Sequence, residues 1–252
     1  MNRLLFLITL LFLLPCSYGQ VNEVDSKGRK QGDWVKFYEG TKIPIYIGQF
    51  KDDKPVGTFT YYYSNNKVKA IVKHDDNSNR SEAYLYHDNK KLMAFGIYIN
   101  EEKDSVWTHY SPKEEISYRE TYKNGKLHGK KTIYYIPDKN DQPTGIVMQE
   151  MHFKNGVLHG PVNEYFPNGV QKMEGTYKEG KFEGVVHRYH PNGKISEEER
   201  WKNKEKHGWW IAYEKDGEEF ARRYFYHGKE LKGDKLTNHL QECKRKGISP
   251  NN

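Results

Sequence analysis

The chain has 252 residues and a formal net charge of +7, with 41 Lys and Arg against 34 Asp and Glu. Only 35% of the residues are hydrophobic and 30% are charged, which argues against a transmembrane bundle, a coiled coil and an enzyme with a thick core. The 20 Tyr, 11 Phe and 5 Trp are too many for a disordered chain, so we expect a folded protein with a thin core.

Residues 1–19 have the layout of a secretory signal peptide. Arg3 supplies a positive start, an apolar run follows from Leu4 to Leu14, and small residues close the segment at Ser17 and Gly19. The run is too short to cross a bilayer. The alternative is a lipoprotein signal with Cys16 as the lipidated residue. Either processing predicts an exported protein, located in the periplasm, at the outer membrane or outside the cell.

Cleavage after residue 19 leaves Cys243 as the single cysteine, so the mature chain cannot form an internal disulfide. Its stability must then come from packing and strand pairing. Residues 20–27, which precede the first patterned segment, are predicted to be a flexible leader.

A repeat of about 24 residues occupies the segment 28–233. Four copies, 122–129, 153–160, 177–184 and 201–208, each begin with an aromatic residue and end seven positions later with Gly. This terminal residue is the anchor of the repeat, and an aromatic residue always follows it at position +5. The eight anchors are Gly32, Gly57, Ser81, Ser105, Gly129, Gly160, Gly184 and Gly208. One longer spacing coincides with a turn-rich insertion at 137–143.

The punctuation inside each copy predicts a β-hairpin. In 161–184, Asn168-Gly169 forms a first turn after one extended run, and Glu179-Gly180 forms a second turn after the next. Alternation along a strand places the +5 aromatic on one face and the +2 residue on the other. We therefore predict an all-β fold, in which about eight antiparallel β-hairpins form an elongated, shallow single sheet that advances by roughly 10 Å per repeat.

The pattern Tyr-x-x-Gly-x-x-x-Gly-x-x-x-x-Tyr, with Asn-Gly between copies, resembles the MORN repeat in its bacterial variant, which occurs in proteins labelled as YwqK-type antitoxins. The resemblance covers most of 25–233 and is strongest over 118–216. It is weaker over 66–115, where Ser81 and Ser105 replace Gly. The resemblance implies an array of β-hairpins and brings no catalytic residues.

Residues 234–252 are predicted to cap the end of the array. Leu236, Leu240 and Cys243 share one face of a short helix that would end at Gly247, and a cap would protect an open sheet edge. A disordered basic tail is the alternative. Cys243 would pack inside the cap, or form a disulfide with another chain.

No residue pattern indicates catalysis, a cofactor or a metal. His128 and His159 would lie roughly 10 Å apart in the array, too far to share one ion. His187 and His190 would point to opposite faces. Nucleophile-elbow, phosphate-loop and zinc-finger spacings are absent from the sequence. The basic charge is spread through the turns, so we predict no nucleic-acid partner and no enzymatic activity.

Three functions fit these observations. The first is a protein-binding or scaffold module of the cell envelope. The second is binding of polysaccharide or cell wall through surface aromatics, with weak attraction to membrane surfaces. The third is an antitoxin or immunity role, which only the family resemblance implies. The predicted binding surface consists of aromatic residues at +1, +2 and +5: Trp34, Trp107, Tyr165, Tyr189, Trp209, Trp210 and Tyr213.

Overall fold

The structure is a computed structural model that describes residues 21–136 and 145–251. The predicted signal peptide, Cys16 and the insertion at 137–143 lie outside the described residues. One antiparallel sheet of 20 strands and one C-terminal helix make up the secondary structure of the described chain. The prediction of an all-β array of hairpins is confirmed.

The strands pair in chain order, so the sheet is one long meander. The strands are β1 (Glu23–Val24), β2 (Lys30–Phe37), β3 (Pro44–Lys51), β4 (Lys54–Tyr62), β5 (Val68–His74), β6 (Arg80–Tyr86), β7 (Leu92–Ile99), β8 (Glu102–Tyr110), β9 (Ile116–Lys123), β10 (Lys126–Tyr134), β11 (Val147–Lys154), β12 (Val157–Tyr165), β13 (Gln171–Lys178), β14 (Lys181–Phe182), β15 (Gly184–Tyr189), β16 (Ile195–Lys202), β17 (Glu205–Lys206), β18 (Gly208–Tyr213), β19 (Glu219–Tyr226) and β20 (Lys229–Leu231).

Six of the eight anchor residues lie at a β-bulge, whereas Gly32 and Ser81 lie where the paired residues show no register shift. Between the pairs Gln49↔Val56 and Ile47↔Thr60 the register shifts, and Gly57 in this interval has a φ of 62°. Such a left-handed backbone favours glycine because a Cβ atom is disfavoured there. In two later repeats the bulge interrupts a strand. One strand is thereby divided into β14 and β15, and the other into β17 and β18.

The core lies on one face of the sheet, which we call the core face. Its most buried side chains occupy position +2 of successive repeats, with exposures of 2% for Phe59, 1% for Trp107, 2% for Val162 and 0% for Val186. The +5 aromatics lie on the other face, called the opposite face, as strand alternation predicts. A single layer of side chains on the core face thus supplies most of the burial.

Turns of the same kind contact each other between neighbouring repeats, as in the hydrogen bonds Asn65–Asp88, Lys91–Glu114 and Lys204–Glu179. The first turns (38–43, 63–67, 87–91, 111–115, 166–170, 190–194 and 214–218) lie along one side of the sheet. The second turns (51–54, 75–79, 99–102, 123–126, 154–157, 178–181, 202–205 and 226–229) lie along the other side. On the first side, the Tyr63 hydroxyl donates to the Tyr86 carbonyl oxygen at 2.8 Å.

The predicted helix is present as α1 (Gly233–Lys246), and it ends at Gly247 with a φ of 66°. Cys243 is buried, and its Sγ lies 3.5 Å from His239 Nε2. The same His239 nitrogen lies 2.9 Å from the Tyr224 hydroxyl of β19, so the helix packs on the opposite face of the last strands. No helix of the described residues is long and apolar enough to cross a bilayer.

The prediction of a flexible leader over 20–27 is wrong for its described part. Glu23 and Val24 form β1 and pair with Gln31 and Lys30 of β2. The Asp25 carboxylate accepts hydrogen bonds from the Arg29 side chain and holds the connecting turn. The segment is ordered because β1 pairs with backbone groups at the outer edge of β2 and because the Asp25–Arg29 contacts hold the turn between the two strands.

Candidate binding surface

The seven aromatic residues predicted to form a binding surface do not lie on one surface. Trp34, Trp107 and Trp210 belong to the core face, whereas Trp209 and the three +5 tyrosines lie on the opposite face. The prediction for Trp107 is wrong, because this side chain is only 1% exposed. Its ring packs edge-on against Tyr98 at 5.0 Å, and Lys103 Nζ covers it at 4.3 Å from the ring centroid.

Other members of the predicted set are engaged within the protein. Trp209 packs against Tyr224 with ring centroids 5.1 Å apart, and its backbone N–H donates to Asn251 Oδ1 at 3.0 Å. The Tyr189 hydroxyl donates to Glu174 Oε1 at 2.6 Å. Burial, followed by this hydrogen bond, raises the pKa of Tyr189 to about 12. These contacts indicate that the two rings stabilise the array.

An apolar concave surface lies on the core face between β3 and β7. It is a shallow depression of about 610 Å³. Its floor contains Ala70 and Ala83, which are 8% and 2% exposed. Ala83 occupies position +2, where the repeats on either side carry Phe59 and Trp107. The depression therefore exists because one repeat lacks the large side chain that its neighbours place there.

Aromatic rings form the walls of this depression. Tyr46 lies 5.8 Å from Phe59 and 6.0 Å from Tyr61, measured between ring centroids. Tyr98 also lines the depression. Burial raises the pKa of both Tyr61 and Tyr98, so their hydroxyl groups stay protonated and can donate as well as accept hydrogen bonds at neutral pH.

Charged and polar side chains surround the aromatic walls. Lys69, Asp53 and Glu101 line the depression, and all three are exposed. A ligand resting on the rings would therefore meet both a cation and carboxylates. This combination of an apolar body and a few polar groups is typical of binding sites.

His74 connects this depression to a second one of about 580 Å³ formed by 75–81 and its neighbours, and it lines both. Its Nδ1 is hydrogen-bonded to Ser81 Oγ at 2.9 Å, while its Nε2 is buried without a hydrogen-bond partner in the described structure. Burial lowers the pKa of His74, which favours the neutral ring.

The core face carries a buried ion pair on β9 and β10. Glu120 is buried and accepts hydrogen bonds from Lys131 Nζ at 2.7 Å and from the Tyr122 hydroxyl at 2.8 Å. Burial raises the pKa of Glu120, but the hydrogen bonds from Lys131 and Tyr122 outweigh it, so the pKa is lowered overall. This buried ion pair separates the apolar depression from the later repeats.

The depression is not among the sites predicted from the sequence. Its walls come from Tyr46 and Tyr61, at −11 and +4 from Gly57, and its floor from a small residue at +2 of the following repeat. A comparison of +2 residues between copies could have detected it, because Ala83 is the smallest of them. Among the described residues, no group of three His, Cys, Asp or Glu side chains is arranged to hold a metal ion.

These features define a class of protein: an open array of β-hairpin repeats with a shallow aromatic depression on its core face. Three segments, 55–76, 158–179 and 182–203, match the family model of the MORN repeat variant. The repeat type predicted from the sequence is thus supported at three copies. The match concerns the repeat and does not extend to the antitoxin label.

No curated protein matches the chain. Among solved structures, "Crystal Structure of TarM" matches at 14% identity with a TM-score of 0.29, covering 45% of this chain and 22% of that one. A mutant of S. aureus TarM in complex with Fondaparinux, alpha-GlcNAc-glycerol and UDP matches at 11% identity with a TM-score of 0.30, covering 46% and 21%. The chain thus spans about a fifth of the length of these proteins, and similarity at this level indicates nothing about its ligand or activity.

Proposed function

We propose that this protein is a non-enzymatic, exported binding protein of the cell envelope, which holds a protein partner on its core face. The supporting observation is the depression between β3 and β7, whose aromatic walls and mixed-charge rim lie on a continuous sheet. Hydrogen bonds between successive turns hold this sheet in shape. A preorganised surface loses little conformational entropy on binding.

The shape and chemistry of the depression favour a protein segment as the ligand. It is open and shallow, so an apolar side chain of a partner can rest on Ala70 and Ala83 between the rings of Tyr61 and Tyr98. Such anchors dominate the affinity of protein interfaces. Lys69 and the neighbouring carboxylates would then pair with polar groups around the anchor.

Affinity capture from an envelope extract, with identification by mass spectrometry, tests the proposal. Ala83→Phe places in the depression the kind of side chain that Phe59 supplies one repeat earlier. Because Val72 faces Ala83 where Gly48 faces Phe59, circular dichroism and thermal unfolding first verify that the variant is folded. We expect it to abolish capture of the specific partner. Ile47→Ala, on the opposite face of β3 and 45% exposed, is the control and should capture as much as the unmodified protein. Equal recovery by both variants would refute the proposed site.

Polysaccharide binding is the second candidate, and a separate observation favours it. Half-buried tyrosine rings that carry protonated hydroxyls, next to Lys69 and Glu101, can stack on a sugar ring and bond its hydroxyl groups. A pull-down with insoluble cell-wall glycan separates the two candidates. If the protein binds the glycan, Tyr61→Ala weakens this binding, and no protein is captured from the extract, then the ligand is a glycan and not a protein.

The immunity role remains a prediction from the family resemblance alone. A toxin-like reading frame beside the gene would support it. Co-expression tests the role directly: cells that express this toxin should survive only when they also express the protein.

A further inference from the structure

The second turns are basic along one part of the sheet and acidic along the other. In the sequence, lysines are spread through the turns, and only 244–246 forms a basic cluster. In the structure, five second turns from 123–126 to 226–229 follow one another along one side of the sheet. They carry eight lysines against two glutamates: Lys123, Lys126, Lys154, Lys178, Lys181, Lys202, Lys204 and Lys229, with Glu179 and Glu205. We call these five turns the basic stripe.

The earlier second turns on the same side have the opposite charge. The segments 51–54, 75–79 and 99–102 contain six acidic residues and two lysines. No such division occurs on the other side of the sheet, where the described first turns contain seven lysines and seven acidic residues. The charge separation is therefore specific to the second turns.

Backbone hydrogen bonds make the basic stripe continuous. The N–H of Gly156 donates to the carbonyl oxygen of Leu127 at 2.7 Å, and the N–H of Gly180 donates to that of Leu158 at 2.8 Å. Each bond joins one second turn to the strand that begins at the preceding one. Because two strands separate successive turns, the turns lie roughly 10 Å apart and the stripe is about 40 Å long.

Most lysines of the basic stripe have no internal partner. Lys204 pairs with Glu179 at 2.8 Å. The other seven are exposed and form no ion pair within the described part of the chain. The amide side chains of Asn124, Asn155 and Asn203 occur in the same turns and offer further hydrogen bonds. Unpaired cations in a row raise the local potential and attract an anionic ligand.

We propose that the basic stripe binds a linear polymer that carries repeated phosphate or carboxylate groups. A flexible chain can follow the five basic turns and avoid the acidic turns beyond them. A flat anionic membrane laid against this side would meet both halves, so the acidic turns would repel it. The four turns from 123 to 205 contain no aromatic residue on which nucleic-acid bases could stack, which disfavours single-stranded nucleic acid.

Two variants with the same change of net charge test the proposal. In the stripe variant, Lys126→Glu, Lys154→Glu and Lys181→Glu reverse three exposed cations. In the control variant, Lys42→Glu, Lys113→Glu and Lys215→Glu reverse three exposed cations on the first turns. Binding of the purified protein to inorganic polyphosphate and to polygalacturonate is measured by calorimetry at low and moderate salt. The polymer that binds with the higher affinity indicates whether the natural ligand carries phosphate or carboxylate groups.

We expect the stripe variant to lose affinity on the order of 100-fold at low salt, and the control variant to change by no more than about 3-fold. The slope of log affinity against log salt should fall by about two for the stripe variant, because three contacts are lost. Equal losses in both variants would mean attraction to net charge alone and would overturn the proposal. The proposal would also be overturned if the protein bound anionic vesicles but neither polymer. It would be overturned equally if the protein bound neither polymer and instead self-associated through its acidic turns in a salt-sensitive way.

Discussion

Gly96 and Trp107 fit together as a pair on adjacent strands of the core face. A Cβ atom added to Gly96 would lie 2.1 Å from the indole of Trp107, so the ring occupies the space of the missing side chain. The indole N–H donates to the Ile97 carbonyl oxygen at 3.1 Å, which fixes the ring over the glycine. Gly48 has the same relationship to Phe59 at 2.5 Å, and Gly175 to Val186 at 3.0 Å.

This packing predicts a graded cost for adding one methyl group. Gly96→Ala should destabilise the protein most, by about 3 kcal/mol or more, because the buried indole has no room to move. Gly48→Ala should cost less, and Gly175→Ala least, since the valine methyl needs to shift by only a few tenths of an ångström. Urea unfolding of the three variants measures the order. Three equal losses would show that the contact distance does not determine the cost.

Ser105 and Ser81 occupy equivalent anchor positions but differ in backbone conformation. Ser105 has a φ of 58° at a register shift, whereas Ser81 lies in a hairpin of unbroken register. Ser105→Gly should therefore stabilise the protein by about 0.5–1 kcal/mol, because glycine adopts this φ without strain. Ser81→Gly should destabilise it by about 1–2 kcal/mol, through loss of strand propensity and of the bond to His74. Thermal unfolding of both variants tests this, and shifts of the same sign would contradict it.

The period and the alternation of side chains were predictable because they are properties of extended backbone and of turn residues such as Asn168-Gly169. The role of position +2 was not recognised, although Phe59, Val162 and Val186 are apolar there while +5 holds mainly tyrosine. A tyrosine hydroxyl needs a polar partner, so +5 suits a half-buried face better than a core. The depression and the basic stripe depend on which turns and strands become neighbours, and a single sequence does not display that directly.

A row of side-chain hydrogen bonds links the first turns. One repeat lacks the donor, so the bond can be removed at one repeat and added at another. Tyr38, Tyr63 and Tyr135 at position +6 donate to the carbonyl oxygen of the +5 residue of the next repeat, at 2.7–2.8 Å. Phe166 occupies the same position without a hydroxyl. Tyr63→Phe should cost about 0.5–1.5 kcal/mol in the free energy of unfolding.

Phe166→Tyr should have the opposite effect and stabilise the protein by up to about 1 kcal/mol, by adding a bond to the Tyr189 carbonyl oxygen. Denaturant unfolding gives both values, and hydrogen exchange at the first turns locates the change. The row of bonds would contribute nothing to stability if both substitutions proved neutral.

The buried pair of Glu120 and Lys131 should make stability depend on pH in a defined direction. The pKa of Glu120 is lowered in the folded protein, so its contribution is present above the unfolded pKa and is lost as pH falls through the folded pKa. Lys131→Met removes the principal partner and leaves a buried carboxylate, at a cost of about 3 kcal/mol near neutral pH. This loss should shrink on acidification, because burial without Lys131 favours the protonated acid.

Lys130→Met is the matched control, since the adjacent residue lies on the opposite face, is exposed, and pairs with Glu150 at the surface. An exposed pair contributes little, so this variant should lose less than about 1 kcal/mol at every pH. Urea unfolding of both variants between pH 4 and pH 7 distinguishes the two environments. A constant loss for Lys131→Met across this range would mean that the packing of its aliphatic stem stabilises the fold more than its charge does.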